Sequence, residues 1–277
     1  MYKRLLTILL ALVMAMALTA CGSTSDVAEE TDAPADVTIN ENVVQEIQNR
    51  GYLVAGCKMD VPDMGYLDVE SGDWFGLEVG LAYKTAARIF GVTEEEAMRE
   101  ELVKFVGVTV ADREQKLEDG EIDVMLATYT ITEDRAKRFA LSDCYYKDYV
   151  GILVKKTATD NNSMGKKGIN SVSDLDGKVI AVAKNSTTRD DTLDYLESMT
   201  TSKVSPLFYD YNSYDEMYTA VMKGDVDAMS VDVSILKGYV DEDTVILEPR
   251  YASQNYGAAV KLENAPLLEY VNQAIAE

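Results

Sequence analysis

Leu117-Glu-Asp-Gly120-Glu-Ile-Asp123-Val-Met125 and Val221-Met-Lys-Gly224-Asp-Val-Asp227-Ala-Met229 are the two stretches on which the fold turns. Each runs from a helix end through glycine, an acid, an apolar residue and aspartate into a strand that carries methionine, and the second starts 104 positions after the first (117 to 221). Helix, glycine stop and buried strand are the closing half of a βαβ unit, so the pattern predicts an α/β chain with parallel strands. Two copies are too few for a solenoid. They predict two similar lobes with a cleft between them.

Outward from the first copy, Asp112 to Glu118 reads as its helix and Ile122 to Thr128 as its buried strand. The strand empties into Thr130-Ile131-Thr132-Glu133-Asp134-Arg135, where the chain leaves a strand's C-terminal end and begins a helix, the place at which open α/β sheets bind ligands. Upstream, Val43 to Ile47 suggests a short helix broken at Gly51, and Tyr52 to Cys57 a strand that runs into Lys58-Met59-Asp60-Val61-Pro62, where proline ends the ladder. Asp68 to Asp73 reads as a turn. Leu77, Leu81, Ala82, Ala86, Ile89 and Phe90 stand near helical spacing ahead of Gly91, and Leu102 to Val108 reads as a strand. Around the second copy, Tyr149 to Lys155 is a strand that crosses between lobes, followed by a polar insert at 157–170 and a turn at Ser173 to Gly177. Strand Lys178 to Ala183, a helix opened by Asn185-Ser186-Thr187-Thr188 and running to Ser198, strand Val204 to Tyr209, helix Tyr214 to Met222 and strand Val226 to Val231 complete it.

The chain of 277 residues holds 26 Lys+Arg against 48 Asp+Glu, a net charge of −22, and no histidine. Such a balance argues against nucleic acid or an anionic membrane surface as an electrostatic partner. Without histidine there is no Ser-His-Asp or Cys-His nucleophile, no His-ligated zinc and no imidazole switch. Nothing in the sequence calls for a metal or a cofactor. Lys3 and Arg4 precede an apolar run from Leu5 to Leu18 that is shorter than a spanning helix, so residues 1–20 read as an export signal. Leu18-Thr19-Ala20-Cys21-Gly22 resembles the lipobox of bacterial lipoproteins, which makes Cys21 a diacylated first residue; the alternative is an ordinary export signal ending at small residues. Positions 22–40 carry five acids and no base, so 21–41 reads as a solvated tether. Its reach is about 25 Å by random-coil scaling. Cys57 and Cys144 either pair or remain two buried thiols.

Several ordered motifs across residues 42–276 resemble the extracellular solute-binding proteins of polar amino-acid ABC importers, and among them the aspartate/glutamate-binding branch. They are Val54 to Pro62, Gly76-Leu-Glu-Val, Leu117 to Met125, Ala127 to Arg135, Leu141-Ser-Asp-Cys-Tyr145-Tyr146, Ser230-Val-Asp232-Val-Ser-Ile-Leu and Gln254-Asn-Tyr256-Gly257. The resemblance implies a class II periplasmic-binding-protein fold: lobe 1 from 42–149 plus 252–277, lobe 2 from 150–251, two hinge strands and closure on a ligand. It implies a protein that is not an enzyme, a monomer lipid-anchored at the bacterial cell surface or in the periplasm, delivering L-glutamate or L-aspartate to an ABC permease and its ATPase.

The residue chemistry agrees with that implication. A zwitterion needs a cation and an anion, and Arg135 offers a planar fork for the α-carboxylate, with Thr128 and Thr130 supplying hydroxyls and backbone groups beside it. Asp232 matches the ammonium-binding aspartate. Ser186, Thr187 and Thr188 open a helix whose free N–H groups suit an anion, and Tyr214 matches a position that lines the site. Arg113 and Lys58 would hold a side-chain carboxylate. Taken alone, each basic residue also reads as a surface ion-pair partner, Thr187 and Thr188 as plain helix caps, and Tyr145 and Tyr146 as core or hinge packing. Three departures from the family stand out: Gly80 in place of an acid, Met64 in place of an aromatic, and an end at Glu277 inside an amphipathic stretch (Leu267, Leu268, Val271, Ile275) that relatives continue. Other readings are binding of glutamine or cystine, a dehydratase-type enzyme on the same fold, and an adhesin or sensor.

Overall fold

The computed structural model describes residues 37–156, 168–199 and 204–277. The leader, Cys21, most of the tether and positions 157–167 of the polar insert lie outside the described residues. In chain order the elements are α1 (Val43–Arg50), β1 (Leu53–Cys57), β2 (Asp60–Val61), β3 (Gly65–Leu67), β4 (Trp74–Phe75), α2 (Leu77–Phe90), α3 (Glu94–Arg99), β5 (Val103–Gly107), α4 (Arg113–Glu118), β6 (Val124–Leu126), α5 (Glu133–Ala136), β7 (Phe139–Leu141) and β8 (Tyr146–Lys155). There follow β9 (Val179–Ala183), α6 (Thr188–Ser198), β10 (Leu207–Tyr211), α7 (Tyr214–Lys223), β11 (Ala228–Asp232), α8 (Val233–Leu236), β12 (Thr244–Tyr256), β13 (Ala259–Lys261) and α9 (Leu268–Ile275).

Two five-stranded sheets result, ordered β5-β1-β6-β13-β7 and β10-β9-β11-β8-β12, beside a small β2-β3-β4 meander. In the first, β1 runs parallel to β5 and β6 while β13 is antiparallel to β6 and β7. In the second, β9 runs parallel to β10 and β11 while β8 is antiparallel to β11 and β12. The repeated motif closes the same turn in both. Gly120 and Gly224 take φ of 73° and 79°, a left-handed conformation that costs glycine little. Asp123 Oδ2 accepts from Val54 N at 2.7 Å and Asp227 Oδ2 from Val179 N at 2.9 Å, each carboxylate fixing the start of the neighbouring parallel strand.

Chain passes between the two sheets on β8 and β12, which pair antiparallel from Tyr146–Tyr256 to Lys155–Thr244 with register shifts on either side of Tyr251. Ala252 takes φ of 46° at that irregularity. Each sheet has its own core: Leu53, Ala55, Leu126 and Val260 against Ala82, Ala86, Ile89 and Val271 in one, Val150, Ile152, Ile180, Val182 and Ala228 with Leu196 in the other. A third cluster joins them, with Val61, Met64 and Val110 packed with Tyr214, Met217, Ile235, Leu236 and Tyr256.

The expected α/β alternation is observed, the turn at Asp68 to Asp73 included, and two element boundaries differ. The turn at Asp68 to Asp73 lies within the β2–β4 meander, whose strands of two or three residues are too short to show a period. The strand expected at Val204 to Tyr209 forms at Leu207–Tyr211, pairing residue by residue with β9. The helix expected from Asn185 begins at Thr188, and Thr187 makes no side-chain cap. Cys57 and Cys144 are both free: Cys57 is buried in β1, and the Cys144 thiol donates to Tyr146 O at 3.2 Å. Among the departures, Gly80 faces open space, Met64 is buried in the shared cluster, and the amphipathic stretch forms α9.

Candidate functional site

β6 delivers its C-terminal end to Thr128, whose φ of 47° is a strained value for a β-branched residue. Glu78 holds it there. This fully buried carboxylate on α2 accepts from Thr128 N and from the Tyr145 hydroxyl, both at 2.5 Å. Burial raises its pKa, while those two bonds and the charges of Lys58 and Arg113 oppose the rise. Sequence reading gave Glu78 no role, although an acid on a helix stripe with Leu81, Ala82 and Thr85 is a signal that it is not there for solvation.

Arg113 opens α4 and is buried; its Nη1 donates to Ala127 O at 2.5 Å and Thr128 O at 3.2 Å, and its buried Nε has no partner. Arg135 on α5 donates from Nη1 to Thr130 O at 2.7 Å. Both guanidinium groups lie on the Tyr129 ring, at 4.9 Å for Arg113 and 4.0 Å for Arg135. The Tyr129 hydroxyl donates to Glu114 Oε1 at 2.9 Å, and Glu114 stands 3.8 Å from Arg135 Nε. Burial, with Arg113 close by, pushes the Arg135 pKa down to about 10. Lys58 is fully buried at the end of β1. Its ammonium sits 4.5 Å over the Tyr214 ring and 3.1 Å from Asp60 Oδ1, an ion pair without hydrogen-bond alignment. Burial lowers its pKa and Asp60 opposes this. A solvated surface ion pair, one reading of these two cations, is therefore overturned for both.

From the other sheet, β11 ends at Asp232, whose Oδ2 accepts from the Tyr256 hydroxyl at 2.5 Å. Burial lifts its pKa to about 7; the Tyr256 bond works against the shift, and the nearby Asp148 and Asp191 charges add to it. Thr188 is buried at the first turn of α6, and Tyr214 is buried at the start of α7. Arg113 and Glu78 meet at the Thr128 backbone, Lys58 lies over the Tyr214 ring, and Tyr214 packs in one cluster with Tyr256, the partner of Asp232, so these groups lie close together. Arg135 lies beside them, lining with Glu114, Asn185, Thr187, Asp190 and Asp191 a cleft of ≈ 640 Å³.

Several hydroxyls at the predicted site positions are engaged within the protein. Thr130 Oγ1 donates to Gln254 Oε1 at 2.7 Å and Thr187 Oγ1 donates to the same oxygen at 3.2 Å. Ser186 Oγ donates to Ala183 O at 2.7 Å. Tyr145 and Tyr146 are packing residues, the first bonded to Glu78 and the second stacked on Tyr256 at 5.8 Å. Cations at one strand end and a carboxylate at the other make a locus complementary to a zwitterion.

The family model described as "Bacterial extracellular solute-binding proteins, family 3" matches residues 53–277. A "Glutamine-binding protein" of Geobacillus stearothermophilus is 30% identical over 256 residues, covering 90% of this chain and 88% of that protein. "Glutamate-binding protein GluB" of Corynebacterium efficiens is 23% identical over 285 residues, covering 99% and 86%. Among solved structures, holo ArgBP from T. maritima superposes with a TM-score of 0.67 at 28% identity, covering 84% of this chain and 92% of that one. The fold is thus the two-lobed type II periplasmic-binding-protein fold. Among the described residues no helix is long and apolar enough to cross a membrane.

Proposed function

The chain belongs to family 3 of the bacterial extracellular solute-binding proteins, and from that premise we propose that it captures a polar amino acid outside the cell and delivers it, as a monomer, to an ABC permease with its ATPase. Arg135 takes the α-carboxylate and Asp232 the ammonium group. Thr128 and Thr188 frame the ligand and Tyr214 lines it. Thr130 and Thr187 contribute backbone groups, their hydroxyls being engaged by Gln254.

The ligand we place first is glutamate or aspartate, and one observation carries it: Lys58 and Arg113 are two cations buried in the same locus, Lys58 with Asp60 at 3.1 Å and Arg113 with an Nε that has no hydrogen-bond partner. A side-chain carboxylate would satisfy both. Glutamine is the second reading. It is favoured by Asp60, which already offsets Lys58 at 3.1 Å, and by the relative named for glutamine at 30% identity against 23% for the one named for glutamate. A thermal-shift screen of the twenty amino acids on the chain from Gly22 onward separates these, since a ligand bound to the native state raises stability by mass action. A shift with glutamate and aspartate but not glutamine upholds the first reading, and the reverse pattern replaces it with the second. No shift with any amino acid overturns the capture reading.

Cys21 carries the lipid anchor in this proposal, because a single acyl chain binds membranes marginally and a diacylated cysteine supplies two. Cys21→Ala should release the protein from membranes, and retention would remove the anchor from the account. The relatives quoted are named as binding proteins, so turnover of the bound amino acid or of a cyclic carboxylate is not expected.

A further inference from the structure

We propose that Gln254 is a positioning residue that ties the two lobes together on the hinge strand and sets how long a bound amino acid is held. The proposal rests on the capture reading above for its ligand and on separate geometry for its mechanism. Gln254 is buried near the end of β12. All four hydrogen-bonding positions of its amide are engaged: Oε1 accepts from Thr130 at 2.7 Å and Thr187 at 3.2 Å, and Nε2 donates to Asp191 Oδ2 at 2.9 Å and Ala252 O at 3.3 Å. The amide orientation follows from the chemistry, because a carboxylate at Asp191 accepts only and hydroxyls can donate. Thr130 follows β6 in the first lobe, while Thr187 and Asp191 belong to α6 and its entry in the second.

The backbone around Gln254 is fastened to the first lobe. Ile131 N donates to Asn255 O at 2.8 Å and Gly257 N donates to Tyr129 O at 2.9 Å, so the loop carrying Thr130 and leading to Arg135 moves with the end of β12. Rotating the second lobe away would pull Thr187 and Asp191 off the amide, leaving a buried carbonyl oxygen and N–H group short of partners. Two more bonds cross at the same edge: Asn185 Nδ2 donates to Ala111 O at 3.2 Å, and Arg135 Nη2 to Asn185 O at 3.4 Å. Gln254 alone among these residues joins both lobes from the hinge strand itself. Its contribution is to closure and is independent of the ligand's side chain.

The test is stopped-flow dissociation of L-glutamate and L-glutamine from the full chain carrying Gln254→Leu, with small-angle scattering of the unliganded proteins alongside. Expected is a dissociation rate raised roughly 5- to 30-fold, the factor that one or two net hydrogen bonds carry, by the same factor for each amino acid bound and without change in their order. Thr187→Val should give a smaller rise by itself and none on the Gln254→Leu background, since it acts through Gln254. A Thr187→Val effect of equal size on both backgrounds would place that hydroxyl on the ligand and overturn the tie. Should Gln254→Leu fail to fold, Thr187→Val against Thr130→Val supplies the same cycle. If the wild type binds neither amino acid, the capture reading has failed while scattering still decides the tie: a larger radius of gyration in the unliganded variant upholds it, and an unchanged one overturns it.

Discussion

The two strand ends that follow the repeated motif are built alike and charged oppositely. In both, a left-handed glycine stops the helix and an aspartate fastens the neighbouring strand, with Asp123 and Asp227 in matching geometry. One strand then leads to Thr128, Thr130 and Arg135, near which Arg113 and Lys58 are buried, and the other to Asp232 with Asp148 and Asp191 nearby. Scaffold and chemistry are therefore separable. A repeated frame ends in two equivalent strand ends, and the residues placed there are basic near one and acidic at the other.

The sharpest way to break that opposition is to delete either pole. Arg135→Ala and Asp232→Asn should each weaken every amino-acid ligand by about 3–5 kcal/mol, the usual cost of leaving one buried charge without its partner, and calorimetry across several ligands would show the parallel loss. A ligand spared by one of these variants would remove that residue from the zwitterion set. Next in size, Arg113→Ala should cost glutamate about 1.5–3 kcal/mol, the range for a charge-assisted hydrogen bond, and glutamine much less. Equal losses for the two would move Arg113 from the side chain to the α-carboxylate.

The shared frame is tested by Asp123→Ala and Asp227→Ala, each of which frees a strand-starting N–H at a cost of about 1–3 kcal/mol in denaturant unfolding. Similar losses would confirm equivalence, since each aspartate also carries an ion pair, Asp123 with Arg50 and Asp227 with Lys178 at 3.4 Å. The charged poles differ in their response to pH as well. Asp232, raised from 3.8 to about 7, binds a proton in the folded state that the unfolded chain has released, so unliganded stability declines as pH rises from about 4 to about 7. Ligand binding has the opposite sign, because an ammonium ion favours the ionised carboxylate. Affinity should fall about tenfold from pH 8 to pH 6, and Asp232→Asn should flatten that slope. Smallest of all, Gly80→Ala adds a methyl group into open space on α2 and should raise stability by about 0.5–1 kcal/mol with binding unchanged.

What could be read in the sequence follows the same division. The frame was legible because helix period, glycine stop and aspartate repeat within nine residues, and Arg135 and Asp232 were picked out by the motifs that resemble the amino-acid-binding family. Glu78 was visible as an acid among apolar neighbours, but its partners Thr128 and Tyr145 lie 50 and 67 positions away. Gln254 appeared inside a quoted motif without a task, since Thr130 and Thr187 reach it across 124 and 67 positions. β12 escaped notice because Glu248-Pro249-Arg250 interrupts its apolar pattern, and only pairing with β8 makes it a strand. Spacing can place a hydroxyl near a cleft; it cannot say where its hydrogen points.

β13, placed between β6 and β7, has a consequence for the order in which the molecule is made. Ala259–Lys261 is synthesised after the whole second sheet, yet it fills an interior slot of the first. The N-terminal lobe is thus begun first and completed last, its β6 and β7 waiting for a partner more than a hundred residues downstream. Closure of so long a loop is slow. Until residues 259–261 are available, that lobe remains an unfinished sheet with a bare strand position between β6 and β7.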